Sequence, residues 1–318
     1  MCFTARRDRA QQPPRALVRR CLLLVSLSRL TAFPPGPRQP APPPSGGAPS
    51  LDLRMTLLLD TPLFPAESLS GRTVVVLHAH PDDEAIFTGA TVRRLADRGA
   101  RVVLVTATAG EMGTPRFPVD DVAAVRRAEL EAAAEELGVA RLVLLGRRDS
   151  GMAGWESGSH PQALLRADLR ALGTTVARLA ARESAEAVIT YDADGIYGHP
   201  DHVAVHLVGR HAAELAGLTL YESTVDREHL HFAGAHVLDA AASAPGRYGR
   251  VTAEITTALA ATPAELAAKR RAMAAHASQI DPAELDDPGF ADAYELEWFV
   301  RRGAPALLEQ LGNAHALA

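Results

Sequence analysis

The sequence predicts an α/β protein: a Rossmann-like, mostly parallel sheet with helices on both faces. Two observations predict it. From about residue 70, short apolar and β-branched runs alternate with longer amphipathic runs, as in parallel sheets whose crossovers are helices. Two of the apolar runs also end abruptly in histidines and acids, at the strand ends where such sheets hold their ligands.

GRTVVVLHA (71–79) reads as the first strand, followed by the helical run EAIFTGATVRRLADRG (84–99), closed by Gly99. RVVLVTAT (101–108) is the second strand, and residues 121–138 form a helical run ending at Gly138. RLVLLG (141–146) is the third strand, 163–182 a helix, and AVITYD (187–192) the fourth strand. HVAVHLVGRHAAELAG (202–217) is helical and LTLYES (218–223) reads as a fifth strand. Past about 226 the pattern weakens. HLHFAGAHVLDA (229–240) reads as strand, and TPAELAAKRRAMAAHASQI (262–280) as a helix capped by Thr262 ahead of Pro263. This last part is expected to pack on the sheet and wall the pocket. No solenoid-type repeat is present.

Residues 1–54 carry nine Arg against Asp8 and Asp52, a net of +7, so the chain total of −5 leaves −12 over residues 55–318. An acidic body argues against nucleic acid as a partner. No apolar run approaches the roughly 20 residues of a membrane helix, and a cytoplasmic protein is expected. Both cysteines, Cys2 and Cys21, lie in the basic leader. The body therefore has no disulfide and no thiolate metal site, and a metal there would need His and carboxylate ligands. Residues 31–50 hold eight prolines and read as a linker. RRCLLLVSLSRL (19–30) resembles a poor signal peptide, cut short by Arg29 and without an obvious cleavage site. The simpler reading is a disordered, Pro-rich extension over 1–68 with a start at Met55, then one domain over 69–318.

The first strand runs into His80-Pro81-Asp82-Asp83-Glu84. Pro81 suits a first helical position, and acids near a helix N-terminus meet a favourable dipole. Capping alone accounts for neither His80 nor three successive acids, whose mutual repulsion a divalent cation would relieve. The fourth strand runs into His199-Pro200-Asp201-His202. Two such clusters at one end of one sheet fit a catalytic zinc site of two His and one carboxylate with a position left for water.

AHPDDE (79–84) with GHPDH (198–202) resembles the zinc-dependent LmbE-like (PIG-L) deacetylases, supported by RRAELEAAAEELGV (126–139), RDSGM (148–152) and KRRAMAAHASQI (269–280). The resemblance implies an LmbE-like fold over about 72–301 and removal of an N-acetyl group from an N-acetylglucosamine-type conjugate. It implies one Zn2+ held by His80, Asp83 and His202, with Asp82 as general base. It implies His199 as oxyanion stabiliser or acid, tuned by Asp201, and Tyr197, Arg126 and Asp149 against the substrate. The last two have plainer readings: Arg126 in solvated helix ion pairs and Asp149 in a turn. His78 is read as a core or supporting residue, and His206 as near the site without being a ligand. His276 and Gln279 either line the pocket or pack.

The chain departs from the mycothiol enzymes of this family at Ala85-Ile86-Phe87 and in the loop GEMGTPRFPVDD (110–121). An amidase acting on a mycothiol S-conjugate or a specialised-metabolite amide therefore stands beside the sugar deacetylase. A two-metal phosphoesterase would need a second carboxylate set, which the sequence does not show. Loss of Asp82, His80, Asp83 or His202 would favour the other alternative, a non-catalytic metal-containing binding module, and all four are present.

Overall fold

The computed structural model describes residues 68–233, 248–311 and 314–316. The expected extension and the start at Met55 lie outside the described residues, which begin at Ser68. The strands are β1 (Thr73–His78), β2 (Arg101–Thr108), β3 (Arg141–Arg147), β4 (Ala187–Tyr191), β5 (Thr219–Thr224), β6 (Thr257–Ala260), β7 (Leu296–Arg302) and β8 (Ala314–Ala316). They form one sheet in the order β3-β2-β1-β4-β5-β7-β6-β8. The first five pair in parallel, while β7, β6 and β8 add an antiparallel edge. Every residue of β1 is buried, as expected of a central strand covered on both faces. The strand order reverses between β1 and β4, so the crevice for a ligand opens at their carboxyl ends.

The helices are α1 (Asp83–Asp97), α2 (Val122–Leu137), α3 (Leu169–Arg182), the single turn α4 (Gly195–Gly198), α5 (Pro200–Ala216), α6 (Arg227–Ala233) and α7 (Pro263–Ala275). Two short ones, α8 (Pro282–Leu285) and α9 (Phe290–Tyr294), follow. α1, α2 and α7 pack on one another as one layer, and α3 packs along α5 as the other. Among the described residues no helix is long and apolar enough to cross a membrane.

Three expectations are corrected. The helix expected over 163–182 begins at Leu169, because the Asp168 carboxylate accepts the Ala171 N–H as an N-cap; residues 164–166 form a separate 3-10 turn. Residues 229–233, expected as strand, belong to α6, whose start is fixed by Asp226 Oδ1 accepting from Glu228 and His229 N–H; residues 234–240 lie outside the described residues. Pro81 is not the first residue of α1, because the backbone turns at Asp82 before the helix begins at Asp83. The Thr262 cap of α7 is present as a capping box with Glu265.

The antiparallel edge is tied to α7 by a buried charge pair and to α1 by hydrogen bonds to the same carboxylate. Lys269 Nζ lies 2.7 Å from Glu297 Oε1, and Glu297 also accepts the N–H groups of Ala90 and Thr91. Both side chains are 1% exposed. Replacing Lys269 with methionine leaves a buried carboxylate without its cation, and is expected to cost about 3–5 kcal/mol in urea denaturation.

Candidate active site

Asp82 lies in the turn between β1 and α1 with φ 111° and ψ −32°, a conformation that costs a non-glycine residue about 1–3 kcal/mol. Its N–H donates to Glu84 Oε2 (3.0 Å), and Glu84 Oε1 meets His276 Nε2 at 2.6 Å. Its carboxylate is held by Arg126, whose Nη2 donates to Asp82 Oδ2 (2.9 Å) and to the Pro81 carbonyl, and whose Nη1 donates to the Gly110 carbonyl. Arg126 is 3% exposed, so it is not in the solvated ion pairs that helix spacing allows. Burial pushes Asp82 up to about 6; Arg126 opposes the shift and Asp83 adds to it.

The next acid faces the histidines. Asp83 Oδ2 lies 3.3 Å from His80 Nδ1, and Oδ1 lies 3.3 Å from His202 Nε2. Oδ2 also accepts the His80 N–H and the Tyr191 hydroxyl at 2.9 and 2.7 Å. Burial works against the charge on Asp83, yet His202 and His80 hold its pKa well below the usual range. Burial likewise opposes protonation of His80, and hydrogen bonds to Asp149, Asp201 and Asp83 outweigh it, raising His80 well above its ordinary pKa.

The second cluster comes from the start of α5. His199 is the N-cap, and its Nδ1 accepts the Asp201 N–H (3.2 Å). Desolvation and the neighbouring His80 and His202 press its pKa far down. The ring is therefore neutral, and with Nδ1 accepting, Nε2 carries the proton. The Asp201 carboxylate does not meet His199. Its Oδ2 accepts from Ser150 N–H (2.9 Å) and lies 3.3 Å from His80 Nε2, because the cap geometry spends the backbone of Asp201 on His199 and turns the side chain toward the end of β1. Asp149 is part of the same cluster. Oδ1 accepts from Gly151 N–H and lies 3.6 Å from His80 Nε2, and Oδ2 accepts from Met112 N–H.

This cluster can hold a metal ion. Two groups of three ligand atoms lie within 4.8 Å of one another, His80/His199/His202 and His80/Asp149/Asp201. His202 is fully buried, yet neither ring nitrogen has a hydrogen-bond partner. Such orphans are rare in folded proteins, and an imidazole aimed into a cluster of acids fits a cation.

Tyr191, the last residue of β4, was not singled out from sequence. Its ring stacks on His202 at 4.1 Å between centroids, and its hydroxyl accepts the Ala79 N–H while donating to Asp83. A tyrosine closing a strand beside the histidine motif was the available signal. His78 is a core residue bonded to Thr88 Oγ1, and His206 Nδ1 meets the Tyr191 carbonyl. Neither lines the cavity.

The cavity itself is about 240 Å3 and is walled by His80, Asp82, Asp83, Arg126, Tyr197 and His199, among others. Burial keeps the Tyr197 phenol protonated. Among the described residues beyond 226, Gln279 lines the cavity and His276 packs beneath. The loop 110–121 contributes Met112, Gly113 and Thr114. The departure at Ala85-Ile86-Phe87 does not reach the cavity, since those side chains are buried in the core. A second cavity of about 710 Å3 shares Met112 and Trp155 as walls and adds Arg148, Glu156 and His160.

Residues 75–213 match the family described as GlcNAc-PI de-N-acetylase (PIG-L). A 1D-myo-inositol 2-acetamido-2-deoxy-alpha-D-glucopyranoside deacetylase from Salinispora arenicola is 36% identical over 67% of this chain and 78% of its own length. The enzyme of that name from Streptomyces avermitilis is 36% identical over 72% and 89%. One from Catenulispora acidiphila reaches 42%, matched over 49% of this chain and 52% of its own length. Among solved structures, N,N'-diacetylchitobiose deacetylase from Pyrococcus horikoshii superposes with a TM-score of 0.51 at 19% identity, covering 73% of this chain and 84% of the other. At that identity the likeness speaks for the fold.

The hydroxyl of Tyr191 serves two buried partners at once. Tyr191→Phe strands the Ala79 N–H and removes a donor from Asp83, with an expected cost of about 1–3 kcal/mol in denaturant unfolding of the metal-free protein.

Proposed function

The chain belongs to the PIG-L family of N-acetylglucosaminyl deacetylases, and on that premise we propose that it hydrolyses the acetamide of an N-acetylglucosamine conjugate to a free amine and acetate, with Zn2+ as its metal. The first substrate to test is N-acetylglucosaminyl-inositol, the compound in its relatives' names. The observation that carries the reading is one small cavity lined by a carboxylate with a raised pKa, Asp82, a neutral histidine, His199, and the His80–Asp83 pair.

We assign the metal to His80, Asp83 and His202. Asp83 touches both rings, and His202 has no other use for its ring nitrogens. The carboxylates of Asp149 and Asp201 accept backbone N–H groups instead. Zinc held there supplies Lewis acidity to the attacking water and to the amide carbonyl.

The chain's own residues do the rest. Asp82, fixed by Arg126, takes the proton from the water as its oxygen bonds to the carbonyl carbon. As the C–N bond breaks, Asp82 passes that proton to the departing nitrogen, leaving amine and acetate. A carboxyl that titrates at about 6 is suited to both transfers near neutral pH. His199 Nε2–H and the Tyr197 hydroxyl are the donors available to the oxygen that gains charge. Asp201 and Asp149 hold His80 in place.

The inner cavity is small beside the roughly 300–1,000 Å3 of drug-sized ligand sites. It suits the acetamide and the ring that bears it. The second cavity, sharing Trp155 and Met112, gives room for the remainder of a conjugate.

Acetate release by the full chain, zinc-loaded against chelated, is measured on a panel of N-acetylglucosamine derivatives that includes the inositol conjugate. Zinc-dependent release from the conjugate is expected; stoichiometric zinc without release from any member overturns the reading. Asp82→Asn is expected to lower kcat by about 10²–10⁴-fold while keeping its zinc. Metal analysis separates the ligand sets: His202→Ala is expected to lose zinc and His199→Ala to retain it.

A further inference from the structure

Glu84 is the third acid of AHPDDE, and the proposed reaction gives it no part. It is fully buried and does not line the cavity. Both of its oxygens are nevertheless committed. Oε2 accepts the Asp82 N–H at 3.0 Å, and Oε1 meets His276 Nε2 at 2.6 Å. His276 ends α7, and its carbonyl accepts the N–H groups of Gln279 and Ile280. The brace therefore reaches from the start of α1 to the segment that places Gln279 in the cavity wall.

The position of this bond is what gives it consequence. Asp82 has φ 111° without being a glycine, a conformation that persists only where the surroundings over-determine it. Glu84 holds Asp82 at its N–H, and Arg126 holds it at its carboxylate. With the N–H released, the backbone is free to relax toward negative φ, which swings Cβ and the carboxylate away from the cavity.

We infer that Glu84, braced by His276, is a positioning residue that fixes the reacting orientation of the Asp82 carboxylate. The inference rests on the reading of Asp82 as the base. Glu84 itself exchanges no proton with substrate; its effect reaches the reaction through the backbone of Asp82. A plain capping role for Glu84 would stabilise α1 and leave the rate of the folded, zinc-loaded enzyme alone.

The test is acetate release from N-acetylglucosaminyl-inositol by the zinc-loaded full chain. Glu84→Ala is expected to lower kcat by about a hundredfold, the penalty of a misplaced reacting group, with KM and the zinc-to-protein ratio unchanged. Glu84→Gln is expected to recover most of that rate, since its amide oxygen can accept the Asp82 N–H while its amide nitrogen faces His276. In an Asp82→Asn background, Glu84→Ala is expected to cost nothing more. An equal loss in both backgrounds, or unchanged kcat in Glu84→Ala, overturns the inference and leaves Asp82 as base. Full turnover by Asp82→Asn alone overturns both. Should Glu84→Ala fail to fold, His276→Asn breaks the same brace and is read in the same two backgrounds.

Discussion

The burial of many like charges at one point is the constraint on which the rest of this structure depends. Asp82, Asp83, Glu84, Asp149 and Asp201 converge at the carboxyl ends of β1 and β4, and all but Asp82 are at most 4% exposed. Buried carboxylates are tolerated only when paired and hydrogen-bonded. Their partners come from distant parts of the chain: Arg126 from α2, His276 from the end of α7, His202 from α5. Neutralising one site thus fastens both helix layers to the sheet edge. The Lys269–Glu297 pair repeats the device further along α1.

The same constraint sorts the acids by task. Asp83 meets two imidazoles and is held ionised, while Asp82, one residue away, meets a guanidinium but is desolvated and repelled by its neighbour. Adjacent residues acquire opposite tendencies because the turn at Asp82 sends the two carboxylates in different directions. A regular helix start at Pro81 would have placed Asp82 and Asp83 on the first turn of α1. The strained turn is therefore inseparable from the division between the acid proposed to face the metal and the acid proposed to carry the proton. The strain is offset by Glu84 and Arg126 acting on the same residue.

What the sequence made legible was what lies consecutively at strand ends. AHPDDE and GHPDH announce a buried strand meeting polar chemistry, and the first five strands follow from their apolar runs. The parts that escaped depend on long-range pairing. Tyr191 reads as one more apolar strand residue until its hydroxyl is seen between Ala79 and Asp83. Glu84 and His276 stand 192 positions apart, and no local pattern joins them. The antiparallel edge escaped because β6 is only TALA and β7 carries Glu297 and two arginines, which blur an apolar signal. Ala85-Ile86-Phe87 misled in the other direction. The change of residue type beside the motif pointed to altered recognition, but these side chains face the core.

Chemistry and selectivity are consequently built on different kinds of backbone. The proton-handling and metal-capable groups stand at strand ends and helix starts, where packing fixes them to the tolerance that catalysis needs. The walls of the outer cavity come from the loops around 110–121 and 148–160. Trp155 and Met152 are 47% and 41% exposed there. Loops tolerate change where strand ends do not. On the proposed reading, a substrate's distal part is re-specified by residues such as Trp155 and Arg148 while the acetamide still meets Asp82 and His199 on an unchanged frame. The proposed reaction thus leaves what hangs beyond the sugar ring to those loops and the bond that is cut to the sheet.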